Sequence, residues 1–193
     1  MIEATVGDLL DGTLWSIERD HIGEMPSDLS DVSVIDGWQA RQPKVYVVRD
    51  GDVVFYVGQS DGPVERLEAH VGRGAWGWTG TSSLGRTIED NLPGARDWTI
   101  ELWTVQECKE ALADETTKLW RWDKDSAERA MIKATEPCLN TTHNENGRRL
   151  PDRYRKDLDA SARRPPAVYT FDLAELSKSP VQGVLAEPGE TDD

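Results

Sequence analysis

Apolar and polar positions alternate most clearly in the middle of the chain. Val45-Tyr46-Val47-Val48 and Val53-Val54-Phe55-Tyr56-Val57 are β-branched and aromatic runs, the residue types that suit strands. Arg49-Asp50-Gly51-Asp52 lies between them, and Asp-Gly is a hairpin signal. Gly58-Gln59-Ser60-Asp61-Gly62-Pro63 then breaks the pattern. Asp61 and Pro63 predict a helix start, and the apolar pair Leu67 and Val71 carries that helix over 63–71. Residues 98–105 alternate as a third strand. Helices are predicted over 107–119 and 124–135, the second with Ala127, Ala130, Met131 and Ala134 on one face and Pro137 as its stop. Residues 6–17 form a short amphipathic start, and 168–173 read as one more strand or a docking segment.

The order strand, strand, helix, strand, helices predicts an α+β domain: a three-stranded antiparallel sheet with helices packed on it. Around that domain, over 43–142, the composition places an acidic arm or cap over 1–42 and a basic stretch with a docking segment over 143–176. An acidic tail over 177–193 is expected to be partly disordered.

At 193 residues the chain is long enough for one domain with a core that needs no staples. No apolar run is long enough for a transmembrane helix, and the start is acidic, unlike a secretory leader. Cys108 and Cys138 make no disulfide framework, so a reducing, cytoplasmic setting is expected. Cys138 and His143 are too few to complete a zinc tetrahedron. The net charge of −14 argues against nucleic acid until it is divided along the chain. Residues 1–43 carry −7 and 157–193 carry −5, whereas 44–156 carry only −2. The middle is therefore free to present a local basic face.

Six residues in that middle carry candidate chemistry: Tyr46, Tyr56, Arg66, His70, Glu128 and Asn140. In order and spacing the set resembles the GIY-YIG nuclease family. Lys44-Val45-Tyr46 stands in the place of the first motif and Tyr56-Val57-Gly58 in that of the second. Arg66 follows Tyr56 by ten residues, on the helix where the family keeps its arginine, with His70 one turn later. Glu128 and the asparagine of Pro137-Cys138-Leu139-Asn140 look like the family's glutamate and closing asparagine. The resemblance covers residues 43–142. There are departures: Lys44 replaces the first glycine, only nine residues separate the two tyrosines, and the long stretch from Arg66 to Glu128 predicts an insertion.

The resemblance implies a Mg²⁺- or Mn²⁺-dependent endonuclease acting on DNA, with no membrane role. Tyr46 is then general base or proton relay with Tyr56 assisting, and Arg66 stabilises the phosphorane. His70 orients the phosphate or moves a proton, Glu128 binds the metal, and Asn140 organises the site. Elementary chemistry agrees with these residue types. Phosphodiester hydrolysis needs an activated water, a guanidinium for the non-bridging oxygens and a carboxylate for the cation. Lys44, Gln59 and Arg73 are candidate nucleic-acid contacts. The alternative is a binding module on the same fold that does not cut.

Each residue also has a plainer reading. The tyrosines suit strands, Arg66, His70 and Glu128 suit a solvated helix face, and Asn140 suits a turn. Trp98 and Trp103 read as core or strand-edge packing, and Trp120 and Trp122 as helix packing. Trp76 and Trp78 read as a folded-back loop or as a stacking surface for bases. Arg148, Arg149, Arg153, Arg155 and Lys156 either touch phosphates or pair with the acidic ends. The hairpin supplies a parity test. A three-residue loop Arg49-Asp50-Gly51 puts both tyrosines on one face with Gly51 left-handed, whereas a two-residue Asp50-Gly51 loop separates them. The functional reading selects the first.

Overall fold

The computed structural model of the chain describes residues 1–27, 32–72, 82–112 and 122–155. Arg73, Trp76, Trp78, Trp120, Lys156, the end of the helix expected over 107–119, the 168–173 segment and the acidic tail lie outside the described residues.

The architecture is α+β, but the sheet has four strands rather than three. They are β1 (Ile2–Thr5), β2 (Val45–Asp50), β3 (Val53–Gln59) and β4 (Thr99–Trp103), in the spatial order β1-β4-β2-β3 with every pairing antiparallel. The extra strand comes from the N-terminal region, which was expected as an acidic arm or cap. Ile2 and Ala4 alternate inward with Glu3 and Thr5 outward, and the strand pairs along β4 from Ile2↔Leu102 to Thr5↔Thr99. This β1 completes the core and covers what would be an open sheet edge.

The following amphipathic stretch is two helices, α1 (Val6–Asp11) and α2 (Leu14–Ile22), broken at Gly12, whose φ of +78° ends the first. Thr5 starts α1 with a capping box to Asp8. A third helix, α3 (Val32–Ala40), follows. Then come α4 (Pro63–His70), α5 (Ser83–Asp90), α6 (Val105–Ala111) and α7 (Lys124–Thr135), the last with the limits expected from its periodicity. Among the described residues no helix is long and apolar enough to cross a membrane.

Two cores lie on the two faces of the sheet. On one face Tyr46, Val48, Phe55, Ile100 and Leu102 meet α1, α2, α4 and α5 through Leu9, Leu14, Leu67 and Leu84. Trp98 belongs to this core and stacks on Phe55 at 4.1 Å between centroids. Tyr154 packs edge-on against both rings and donates from its hydroxyl to Asp50 Oδ2 at 2.7 Å, which fastens the 151–155 segment to the hairpin. On the other face Val45, Val47 and Val57 meet Cys108 of α6 and Ala127, Met131 and Ile132 of α7, with Trp103 and Trp122 at the margin.

The hairpin reaches the expected parity by another route. Its turn is Gly51-Asp52, between the partners Asp50 and Val53, and Gly51 is left-handed at φ +55°. The register then shifts between Arg49↔Val54 and Val48↔Tyr56, which leaves Phe55 as an extra residue in β3. This bulge, rather than an odd loop, puts Tyr46 and Tyr56 on one face. A two-residue turn suits the strand twist, and the bulge restores the pattern of burial.

Candidate functional site

Tyr46 is the centre of the site and is only 1% exposed. Its cross-strand partner is Gly58. A Cβ at Gly58 would overlap the Tyr46 ring and hydroxyl, so the second motif ends in glycine because the phenol of the first lies across it. The Tyr46 hydroxyl is 3.0 Å from Nε2 of His70, on the last turn of α4. Tyr56 stacks on Tyr46 at 6.1 Å and meets His70 edge-on at 5.3 Å. Tyr46 is sealed in the core, whereas Tyr56 is partly open to solvent.

Charge around these rings follows from the helices beside them. Burial drives the Tyr46 pKa far above the usual phenol range, the Tyr56 charge adds to the rise, and Arg66 beside the hydroxyl opposes it. Burial also raises Tyr56, Glu128 adds to the rise, and Arg66 and the Tyr46 hydroxyl oppose it. Burial, then the Arg66 charge, hold His70 down to about 4, so its ring is neutral at pH 7. A guanidinium only donates, so Arg66 takes a lone pair of the Tyr46 oxygen. The Tyr46 hydroxyl and Nε2 share one proton, which sits on the phenol when Nδ1 carries the ring proton and on Nε2 in the other tautomer.

Glu128 stands on α7, the helix that packs on the opposite face of the sheet from the two tyrosines. It is half-buried and acts electrostatically on both tyrosines. Burial first and Asp125 second raise its own pKa, and Arg129 partly offsets them. Among the described residues no hydrogen bond or ion pair engages its carboxylate. No group of three or more His, Cys, Asp and Glu side chains able to hold a metal occurs among the described residues. A single carboxylate raised by burial and left without a donor still fits Mg²⁺, which uses one or two carboxylates and completes its octahedron with water and phosphate oxygens.

Asn140 lies at the outer edge of β3. Its Oδ1 accepts from Val57 N at 2.9 Å and its Nδ2 donates to Val57 O at 2.7 Å. Cys138 N and Leu139 N donate to Val54 O and Phe55 O, so the 138–140 segment covers the edge as a further strand would. Asn140 therefore fixes the strand that carries Tyr56 and Gly58 and holds the backbone of the site.

The other candidates divide. Lys44 shares the face of Tyr46 but is engaged with Asp61, at 3.6 Å from its carboxylate. Gln59 pairs with Val45 and alternates with Gly58, which sets it on the opposite face from the tyrosines. Arg148 pairs with Glu136, and Arg149 and Arg155 share Asp152. Their described partners are thus local acids, not the chain's acidic ends.

Two supports of the site went unread. Helix α5 begins at Ser82, whose side chain accepts from Gly85 N, and a Cβ at Gly85 would overlap the main-chain oxygen of His70. The Ser82 cap and the spacing of Leu84, Thr87 and Ile88 signalled this helix, but the glycines around it masked the pattern. The link from Asp61 to Lys124 joins residues far apart in sequence and had no sequence signal. Comparisons with protein-family models, with curated proteins and with solved structures found no match.

Proposed function

We propose that this cluster is the active site of a divalent-metal-dependent endonuclease that hydrolyses phosphodiester bonds in DNA, built on a GIY-YIG-like scaffold. The observation that carries the reading is the packing of Tyr46, Tyr56 and His70 on one face of the sheet, with Arg66 hydrogen-bonded to the Tyr46 oxygen and the Glu128 charge acting on both tyrosines. The two free cysteines, Cys108 and Cys138, suit a cytoplasmic setting.

The burial of Tyr46 changes how the roles divide. Tyr56, open to solvent, meets the attacking water. Tyr46 relays the proton inward, and neutral His70 receives it on Nε2. The water oxygen bonds to phosphorus, the bond to the leaving oxygen breaks, and the proton moves along Tyr56, Tyr46 and His70. Arg66 lies where it can donate to the non-bridging oxygens as charge develops. A bound phosphodiester also offsets the Arg66 charge that depresses His70, which makes His70 a better acceptor when substrate is present. Glu128 is the residue that would hold Mg²⁺ or Mn²⁺, which supplies Lewis acidity at phosphorus.

The test is nicking of supercoiled plasmid DNA with Mg²⁺ and with excess chelator. Nicking that needs the metal supports the nuclease reading. Tight DNA binding without nicking, over a range of pH and metals, would replace it with the non-cutting module.

A further inference from the structure

A nucleic-acid strand crossing this site brings phosphates beyond the one being cut, and each needs a partner. Three residues meet at the edge of the cluster. Lys44 continues β2, since its N–H donates to Trp103 O and its carbonyl accepts from Ser60 N, and it stands two positions before Tyr46 on the same face. Lys124 precedes Glu128 by one turn on the same face of α7. Asp61 lies in the connection from β3 to α4, the helix of Arg66 and His70.

Lys124 Nζ is 2.5 Å from Asp61 Oδ2. Lys44 Nζ is 3.6 Å from Oδ1 and 3.3 Å from the Asp61 main-chain oxygen, with Gln42 Oε1 at 3.2 Å. The lysine side chains are 21% and 35% exposed, whereas that of Asp61 is 75% exposed. Two ammonium groups from separate elements are thus gathered under one exposed carboxylate. As a stabilising clamp an exposed pair of this kind contributes little.

We propose that Lys44 and Lys124 form a phosphate subsite beside the cleavage site, and that Asp61 fills it in the free protein as an internal substitute for the phosphate. A carboxylate offers two oxygens to ammonium donors much as a phosphodiester offers its two non-bridging oxygens. Displacing Asp61 requires moving one exposed side chain. Acidic side chains flank the subsite, Asp125 beside Lys124 and Glu18 near Lys44. The inference rests on the nuclease reading only in taking the partner to be a nucleic-acid backbone.

The test is binding of the full chain to a short fluorescent DNA duplex in chelator, so that no cutting intervenes. At about 50 mM salt, Asp61→Asn should tighten binding by about threefold or more, and Lys124→Gln should weaken it by as much. Lys124→Gln should also reduce the slope of log K against log salt by about 0.9. Glu3→Gln removes the same charge at the opposite edge of the sheet and should shift affinity by less than about twofold. Equal gains from Asp61→Asn and Glu3→Gln, or wild-type affinity in Lys124→Gln, overturn the subsite. If the wild type nicks plasmid while these variants bind as it does, the subsite falls and the nuclease reading stands. If the variants respond as stated and the wild type does not nick, the subsite stands without the nuclease reading. A wild type that binds no DNA ends both.

Discussion

At the scale of single residues, the site depends on one buried phenol and what surrounds it. Tyr46 and Tyr56 were legible because two tyrosines in paired strands are visible in the sequence. Their unequal exposure was not legible, because it depends on how α4 and Gly58 close over one ring and leave the other open. If the relay runs through both, Tyr56→Phe and Tyr46→Phe should each lower turnover by about 10²-fold or more, measured as single-turnover cleavage. Gly58→Ala should lower it as well, because its methyl displaces the Tyr46 ring from His70. His70 adds a pH signature. Its folded pKa is about 4, while an unfolded-chain histidine titrates near 6.5. Between those values the unfolded chain binds a proton that the folded chain refuses. Stability is therefore level above about 6.5 and falls as pH drops toward about 4, by about 3 kcal/mol in all. Glu18 and Glu128, whose pKa values are raised, contribute in the opposite direction. The comparison is therefore with His70→Gln. Urea unfolding should show the wild type losing about 3 kcal/mol relative to that variant from pH 7 to 4, and a constant difference would contradict it.

At the scale of elements, local pattern predicted whatever carried its own periodicity. The strands β2, β3 and β4 and the helices α4 and α7 were read from alternation, i, i+3, i+4 spacing and terminal signals. Strand β1 escaped because four residues carry too little alternation, and its place in the sheet comes from pairing with β4, nearly a hundred residues away. The bulge at Phe55 escaped for a related reason: a turn and a register shift can exchange one residue without changing which faces are apolar. Asn140 was legible as a residue but not as a clamp on the edge of β3. Asn140→Ala removes both bonds to Val57 and leaves a buried N–H and C=O without them. It should destabilise the fold by about 1–3 kcal/mol, read as a shift in urea midpoint. A midpoint equal to wild type would mean that the edge is held by the Cys138 and Leu139 bonds alone.

At the scale of the whole molecule, a net charge of −14 stands against the proposed binding of phosphate. The acidity is concentrated in the terminal regions, and the site draws on Arg66 and the lysines of the middle. Removing residues 186–193, which hold four acidic side chains and no basic ones, should tighten nonspecific DNA binding at low salt, and the gain should shrink as salt rises. Equal affinity of the trimmed and full chains at about 20 mM salt would assign those charges to solubility alone. The central claim is that these side chains cut DNA, and Glu128 is its most exposed point. It is the carboxylate to which the proposal assigns the cation, so the metal's role passes through it. The deciding measurement is the nicking rate of supercoiled plasmid in Mg²⁺ for wild type and Glu128→Gln, with matched near-UV circular dichroism to establish that both are folded. The wild type should nick, and Glu128→Gln should fall below detection while still binding DNA, because the lost charge acts mainly in the transition state. Nicking by Glu128→Gln at the wild-type rate would contradict the account.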